Sequence, residues 1–198
     1  MKHTISLLVL CAALFMTACD SNDLGKLEAL LISNLPADPP TSYGSMGQPL
    51  GTTGKYTLFS FATGEAVPNS DSLTNKWDIG FRATSIIING GTNRIGTGGV
   101  QLVNGVFEDL KTAPESGYLT DDGNTLAVNS DWYTYNPTAR TVTPNAGKVF
   151  MIKTATGKYA KMEIVSYYLD APASPTMNNP SRYYTFKYVY QKSGSRNF

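Results

Sequence analysis

Apolar and polar residues alternate with a period of two over much of the chain. From Trp77 to Arg82 the apolar side chains of Trp77, Ile79 and Phe81 alternate with Asp78, Gly80 and Arg82, and Lys161 to Ile164 alternates likewise. Because successive side chains of a strand point to opposite faces, these runs predict half-buried β-strands. Trp77 and Phe81 are then core residues, and Asp78 and Arg82 are surface polar partners or turn-capping groups. The terminal run places Tyr184, Phe186, Tyr188 and Tyr190 on one face, which predicts a long terminal strand.

Turn signals separate these runs. Asn104-Gly105 lies inside Gln101 to Phe107, Asn89-Gly90-Gly91 follows an isoleucine run, and Thr156-Gly157 lies between Lys153 and Tyr159. Such dipeptides favour tight hairpins, so we expect a mainly β fold, a single domain of antiparallel strands. Asp121-Asp122-Gly123-Asn124 is better explained as a tight turn than as a calcium loop, because it lacks the loop's spacing and closing glutamate.

Two segments suggest helix. Asp20 to Leu35 carries leucines at 24, 27, 31 and 35, the spacing of one helical face, and Val106 to Thr112 also favours helix. From Pro36 to Gly54 the composition shifts to proline, glycine, serine and threonine, which is typical of an extended tether. We therefore divide the chain into residues 1–18, a tethering segment 19–54 that includes the helix, and a β domain 55–198.

The first residues are typical of an export signal. Lys2 precedes an apolar run from Ile5 to Ala18, which is shorter than the roughly 20 residues of a membrane-spanning helix. The run ends in Leu14-Phe15-Met16-Thr17-Ala18-Cys19, the pattern of a bacterial lipoprotein signal. Cleavage before Cys19 leaves a lipid-modified cysteine that anchors the chain to a bilayer. The alternative is an ordinary secreted precursor.

Removal of residues 1–18 changes the available chemistry. His3 and Cys11 are removed, so the mature chain has no histidine and its one remaining cysteine, Cys19, is lipidated. One of the 16 basic residues and none of the 15 acidic ones is lost, so the formal charge falls from +1 to neutral. A neutral chain does not favour nucleic-acid binding. Catalytic triads, thiol chemistry and most zinc sites need the missing residues, so we predict that the protein is not an enzyme.

Three segments resemble the HmuY family, lipoproteins of the Bacteroidetes. They are Lys76 to Arg82, Gly157 to Met162 with Ile164 to Tyr168, and Ser181 to Phe186 continuing to Gln191. The resemblance implies a predominantly β, hand-like fold in which haem lies between projecting hairpins. It also implies a haemophore that passes haem to an outer-membrane transporter.

The resemblance does not carry over a ligand pair for haem iron. The founding type is understood to use two histidines, which this mature chain lacks, and other members are thought to use methionines. A thioether is a soft ligand that favours ferrous haem. Met151 and Met162 lie in apolar alternating runs and are predicted core residues. Met46 and Met177 lie in loops and are the candidate ligands.

The segment from Asp131 to Pro144 resembles a region in which relatives often place a threonine-histidine pair. Here Ala139-Arg140-Thr141 stands instead. Arg140 is either a solvated hairpin residue or a partner for a haem propionate, which its planar donors suit. Tyr133 and Tyr135 either ligate ferric haem or stack on the porphyrin, or they pack across strands as tyrosines do in many β domains.

Two functions follow from these observations. The first is a surface lipoprotein that binds haem or a related porphyrin for haem acquisition without histidine ligands. The second is an accessory or interaction lipoprotein of the same fold that has lost haem binding. In either case we expect attachment to the outer membrane through the acylated Cys19, on the cell surface, and for the first also an outer-membrane transporter as partner.

Overall fold

A computed structural model describes residues 27–45 and 49–198, in which strands and turns dominate. Short 3₁₀ turns occur at Asn69–Asp71 and Ser130–Trp132. Among the described residues, no helix has the length and apolar character needed to cross a bilayer. The strands are β1 (Leu30–Pro36), β2 (Ser42–Tyr43), β3 (Pro49–Leu50), β4 (Thr57–Ser60), β5 (Glu65–Val67), β6 (Ile79–Arg82), β7 (Ser85–Ile88), β8 (Gly99–Asn104), β9 (Tyr133–Asn136), β10 (Thr141–Pro144), β11 (Lys148–Lys153), β12 (Tyr159–Tyr168) and β13 (Ser181–Gln191).

The strands form two main antiparallel sheets and two small hairpins. The large sheet has the order β1-β13-β12-β11-β8, and the small sheet has the order β5-β4-β6-β7. The hairpins are β2–β3 and β9–β10. The mainly β, antiparallel fold expected from the alternating sequence is confirmed.

The principal core lies between the two sheets. Phe59 and Phe81 of the small sheet pack against Tyr184 and Phe186 of β13, and all four side chains are fully buried. The Phe59 and Phe186 rings meet edge to face with centroids 5.3 Å apart, and Phe81 lies 4.7 Å from Tyr184. Offset and edge-to-face contacts of this kind add stability beyond that of the buried area. The terminal strand, predicted from its aromatic face, is therefore the centre of this core.

The outer face of the large sheet carries a second, smaller core. Val149, Met151 and Val189 pack there beneath Phe107, with Leu110 and Phe198 at the margin. The cover comes from the chain after β8 and from the C-terminal tail, which bond to each other through Ala113 N–H to Arg196 O and Phe198 N–H to Lys111 O. Both faces of β11 and β12 are thus covered.

Several local predictions are confirmed. Trp77 and Phe81 are buried, and so are Met151 and Met162, on opposite faces of the large sheet. Thr156-Gly157 closes the β11–β12 hairpin, where Thr154 N–H donates to Lys158 O at 2.8 Å. Asp122 and Thr125 exchange two backbone hydrogen bonds of 2.9 Å, the tight turn expected there.

The two predicted helices are wrong where the structure describes them. Leu30–Pro36 forms strand β1, which pairs with β13, whereas residues 20–26 of the predicted helix lie outside the described residues. An even spacing of leucines also fits one face of a strand, but a bulge between Ile32 and Leu35 breaks it here, so that Leu31 is exposed and Leu35 is buried. Val106 to Thr112 contains only one turn, closed by Asp109 N–H to Val106 O.

Part of the predicted tether also belongs to the packed domain. β1 joins the large sheet, and Ala37 and Asp38 are buried directly after it. The sheet therefore begins before the domain start predicted at residue 55. The end of the signal at residue 18 lies outside the described residues and stays a prediction.

Two of the predicted hairpins are wrong. β8 ends at Asn104-Gly105 but pairs with β11, more than forty residues later, where Lys148 faces Asn104. Asn89-Gly90-Gly91 leads away from β7 towards the large sheet, and Gly90 lies so close to Gly98 that a Cβ atom there would meet its carbonyl oxygen. At both places glycine and asparagine end a strand, but the segments before and after them do not pair with each other. The pairing of each strand is set by the packing of the two main sheets and not by the local turn.

Asp78 is a buried linking residue and does not lie on the surface. Its carboxylate accepts hydrogen bonds from Phe61 N–H and Ala155 N–H, both at 2.9 Å. These donors belong to different parts of the chain, so one side chain fixes the small sheet against the β11–β12 hairpin. Burial raises the pKa of Asp78 above its ordinary value of 3.8, against the two hydrogen bonds that lower it.

Candidate functional site

Three segments extend from the same end of the large sheet. Antiparallel pairing places Tyr168 opposite Ser181 and Pro36 opposite Tyr183, so β12 ends, β13 begins and β1 ends side by side. The loop 169–180 and the chain leading to hairpin β2–β3 leave from this edge. Hairpin β9–β10 is attached there by Val142 N–H, which donates to the Tyr168 hydroxyl at 2.9 Å. We call hairpin β2–β3, hairpin β9–β10 and loop 169–180 together the distal end.

Polar contacts hold the base of the distal end. Asn34 and Asp170 exchange two hydrogen bonds, of 2.9 and 2.8 Å, which tie β1 to loop 169–180. The Asp38 carboxylate accepts from Thr53 and Gly54 behind β3, and the Arg182 guanidinium donates to Asp38 O at 3.0 Å. Burial acts to raise the pKa of Asp38, but the hydrogen bonds from Thr53 and Gly54 outweigh it and hold the pKa below 3.8. The carboxylate is therefore charged at neutral pH.

Hairpin β9–β10 has a buried root and an exposed tip. At its root Trp132 is fully buried, and the Tyr133 ring packs against it at 4.6 Å. At its tip the Asn136 side chain accepts from the N–H groups of Thr138 and Ala139, both at 3.0 Å. Hydrogen bonds from an asparagine side chain to the backbone that follows stabilise a reversal of the chain. The reversal is completed at Arg140, which has a left-handed φ of 52°.

Tyrosines from both hairpins lie near the end of β12. Tyr43 on β2 and Tyr135 on β9 are about half exposed, at 54% and 53%. Burial raises the pKa of the Tyr168 phenol; the Val142 N–H lowers it, and Tyr135 and Tyr43 raise it further. Burial also raises the pKa of Tyr167, against the lowering effect of Arg182. The distal end thus combines exposed aromatic rings with buried phenols whose pKa is raised.

The structure brings four of the predicted haem-contacting residues to the distal end. Met177 lies on loop 169–180 and is 63% exposed, and Tyr135 lies on β9. Arg140 is exposed at the hairpin tip and forms no ion pair with any described residue. Tyr133 is only half buried against Trp132. Their roles towards haem stay predictions, and Met46 and Cys19 lie outside the described residues.

Tyr43 and Tyr168 are distal-end residues that the sequence did not single out. Tyr43 lies in a segment whose proline and glycine content predicts only a spacer, and its position depends on β1 entering the sheet. Tyr168 ends the run Ile164 to Tyr168, and its side chain is buried. Its hydroxyl accepts from a hairpin far along the chain, which no local pattern indicates.

Two clefts lie away from the distal end. The smaller, of about 430 Å³, borders the small sheet beside Asp78 and Tyr190. The larger, of about 830 Å³, lies on the outer face of the large sheet beside Lys161. Met177, Tyr133, Tyr135 and Arg140 line neither cleft. Among residues 27–45 and 49–198, no three His, Cys, Asp or Glu side chains come together as a metal site.

Comparison with protein-family models gives one match. Residues 52–188 match the model described as HmuY protein. This range contains both sheets except β1 and the last residues of β13, and it contains hairpin β9–β10 and loop 169–180. A comparison with curated protein sequences finds no match.

Solved structures with a related chain path come from three bacteria. A protein described as a lipoprotein from Bacteroides fragilis is 15% identical, with a TM-score of 0.48 over 82% of this chain and 88% of that one. The apo HmuY analog of Tannerella forsythia is 16% identical, with a TM-score of 0.47 over 84% and 96%. A protein described as an HmuY-like haem-binding protein from Bacteroides vulgatus is 16% identical, with a TM-score of 0.48 over 82% and 90%.

Proposed function

The chain belongs to the HmuY family, and from this premise we propose that it is a lipid-anchored protein that binds haem or a related porphyrin at the distal end for haem acquisition. It acts as a binding protein and not as an enzyme. The observation that carries the proposal is the family match over residues 52–188, which includes the projecting hairpin β9–β10 and loop 169–180.

The side chains at the distal end suit a porphyrin. Tyr43 and Tyr135 offer exposed aromatic surface for stacking, and Met177 offers an exposed thioether. The Arg140 guanidinium suits a propionate, because its planar fork matches a carboxylate. Haem supplies iron that takes axial ligands from the protein, and thioether and phenolate are both accepted ligands.

The absence of histidine after His3 limits how the iron is held. Met177 would favour the ferrous state, because a thioether is soft and neutral, whereas a tyrosine phenolate such as that of Tyr135 or Tyr133 would favour the ferric state. The oxidation state in which haem binds more tightly therefore distinguishes the two ligands.

A second function is supported by a specific observation. The chain lacks histidine after residue 3, and the predicted ligands that the structure describes, Met177, Tyr133 and Tyr135, line neither of the two clefts described above. An accessory or interaction lipoprotein that has lost haem binding would have these properties. It would keep the family fold and the membrane anchor.

Titration with hemin separates the two functions. Every strand that the structure describes lies within residues 30–191, so a chain that begins at Asp20 keeps all the described elements and lacks the predicted signal and Cys19. For a haem-binding protein we expect saturable one-to-one binding and a shifted Soret band in either the oxidised or the dithionite-reduced state. No saturable change in either state would contradict haem binding and leave the accessory function.

Matched variants then assign the ligand. Met177→Leu keeps the volume of the side chain and removes the sulfur, and Tyr135→Phe keeps the ring and removes the hydroxyl. Tyr159→Phe is the control, because Tyr159 begins β12 at the opposite end of the sheet. We expect at least a tenfold loss of affinity for one of the first two variants and none for the control.

The membrane anchor is a separate part of the proposal. Acylation of Cys19 would attach the domain to the outer membrane, facing outwards, where an outer-membrane transporter could receive haem. Mass spectrometry of the mature protein should show an acylated Cys19, and protease treatment of intact cells should remove the domain. Full protection from the protease would contradict surface exposure.

A further inference from the structure

Lys161 is a buried lysine on the outer face of the large sheet. Only 4% of its surface is exposed, although its position in an alternating run suggests an exposed side chain. Its ammonium group donates to the carbonyl oxygens of Phe107 and Leu110, both at 2.8 Å, and lies 4.6 Å from the centre of the Phe107 ring. An ammonium group has three N–H donors, so one remains for another acceptor.

The charge of Lys161 is not neutralised by a described carboxylate. The nearby acids Glu108 and Asp109 form no ion pair with it, and Glu108 instead binds Lys187 at 2.8 Å. Burial lowers the pKa of Lys161, and the neighbouring Lys111 lowers it further. A buried cation without an anionic partner is costly, since burial of a charge is compensated mainly by pairing.

The larger cleft, of about 830 Å³, opens beside this ammonium group. Its apolar lining includes Leu27, Val189 and the rings of Phe107 and Phe198. Three lysines, Lys111, Lys161 and Lys192, also line it, against the two acids Glu28 and Glu108. The volume lies within the range of pockets that hold small molecules.

We propose that this cleft binds a long-chain fatty carboxylate, with the head group at Lys161 and the chain against Phe107 and Phe198. The carboxylate takes the remaining N–H donor of Lys161, and Lys111 and Lys192 add attraction at the mouth. A singly charged head group fits better than a phosphate, because Glu28 and Glu108 offset two of the three lysine charges and would repel additional negative charge. This site is separate from the distal end and does not depend on haem binding.

Fluorescence titration with dansylaminoundecanoic acid tests the proposal on the chain that begins at Asp20. We expect saturable one-to-one enhancement of dansyl emission, and at least tenfold weaker binding of the methyl ester of the same probe. Lys161→Met removes the charge and leaves an unbranched side chain one atom shorter, so it should weaken binding of the acid at least tenfold. Lys55→Met, an exposed lysine beside the small sheet, is the control and should leave binding unchanged.

A second variant covers the case in which Lys161→Met does not fold. Lys111 and Lys192 are exposed, so the double variant Lys111→Met with Lys192→Met should keep the cooperative thermal transition. It should weaken binding of the acid about threefold or more. The proposal is overturned if the unaltered chain does not bind the acid saturably, or if acid and ester bind equally. It is also overturned if a folded Lys161→Met variant, or the double variant, binds as tightly as the unaltered chain.

Discussion

The core between the two sheets and the distal end use the same aromatic residue types in different ways. In the core, Phe59, Phe186 and Tyr184 are fully buried and their rings pack edge to face, tilted or stacked against their neighbours. At the distal end, Tyr43 and Tyr135 are half exposed above the neutral phenol of Tyr168. The comparison shows that an aromatic strand face alone does not indicate a binding site. What distinguishes the distal end is that its rings are half exposed and lie on two short hairpins that belong to neither main sheet.

Removal of a core ring should have the largest effect on stability. Phe186→Ala leaves a cavity among Phe59, Phe81 and Tyr188, so we expect a loss of about 3–5 kcal/mol in the free energy of unfolding. Tyr135→Phe, at the distal end, should change it by less than about 0.5 kcal/mol. Urea unfolding followed by tryptophan fluorescence measures both. Similar losses for the two variants would remove the distinction between the regions.

Replacement of the buried carboxylate of Asp78 should have the next largest effect on stability. Asp78→Asn leaves one acceptor oxygen and turns an amino group towards one of the N–H donors of Phe61 and Ala155. We expect a loss of about 1–3 kcal/mol, the cost of an unpaired buried polar group. Asp71→Asn, which breaks only the exposed pair with Lys76, should cost less than about 1 kcal/mol. Equal costs in urea unfolding would contradict the linking role of Asp78.

Tyr184 gives a smaller effect that depends on pH. Burial raises its pKa well above the ordinary value of 10.0, so the fold stabilises the neutral phenol. That contribution is complete below pH 10 and is lost as the pH rises through and beyond it. Tyr184→Phe removes the 2.8 Å hydrogen bond to Ala83 O, which should lower the free energy of unfolding by about 1 kcal/mol at neutral pH. As the pH rises from about 9 to 11, the variant should lose less stability than the unaltered chain, because phenylalanine does not ionise. Parallel stability curves for the two chains would contradict this prediction.

The smallest effect on global stability concerns the attachment of the hairpin. Tyr168→Phe removes the acceptor of Val142 N–H, so hairpin β9–β10 should loosen while the core stays intact. We expect a loss of about 1 kcal/mol or less in the free energy of unfolding, and faster amide exchange at 133–144. Tyr159→Phe, at the other end of β12, is the control. Unchanged exchange in the hairpin would show that other contacts hold it.

The sequence predicted the core well because its signal is local. Alternation with a period of two depends only on neighbouring residues, and it identified Trp77, Phe81 and the terminal strand as buried or paired. It missed Lys161 and Asp78, whose burial depends on cover from distant segments: residues 107–110 and the C-terminal tail over Lys161, and the β11–β12 hairpin over Asp78.

The candidate site was only partly predictable for the same reason. Tyr135, Arg140 and Met177 were singled out through the family resemblance, and the structure places them at one end of the sheet. Tyr43 was missed, because the leucine spacing before it satisfies both a helix and a strand. Once β1 pairs with β13, the following chain is carried to the distal end, which a local pattern cannot show.

Amide hydrogen exchange with and without hemin tests the central claim most directly, on the chain that begins at Asp20. If the distal end binds haem, exchange should slow in hairpin β2–β3, in residues 133–144 and in loop 169–180, while the core between the sheets changes little. Slowing confined to the outer-face segments 107–111 and 192–198, or no slowing at saturating hemin, would contradict a haem site at the distal end.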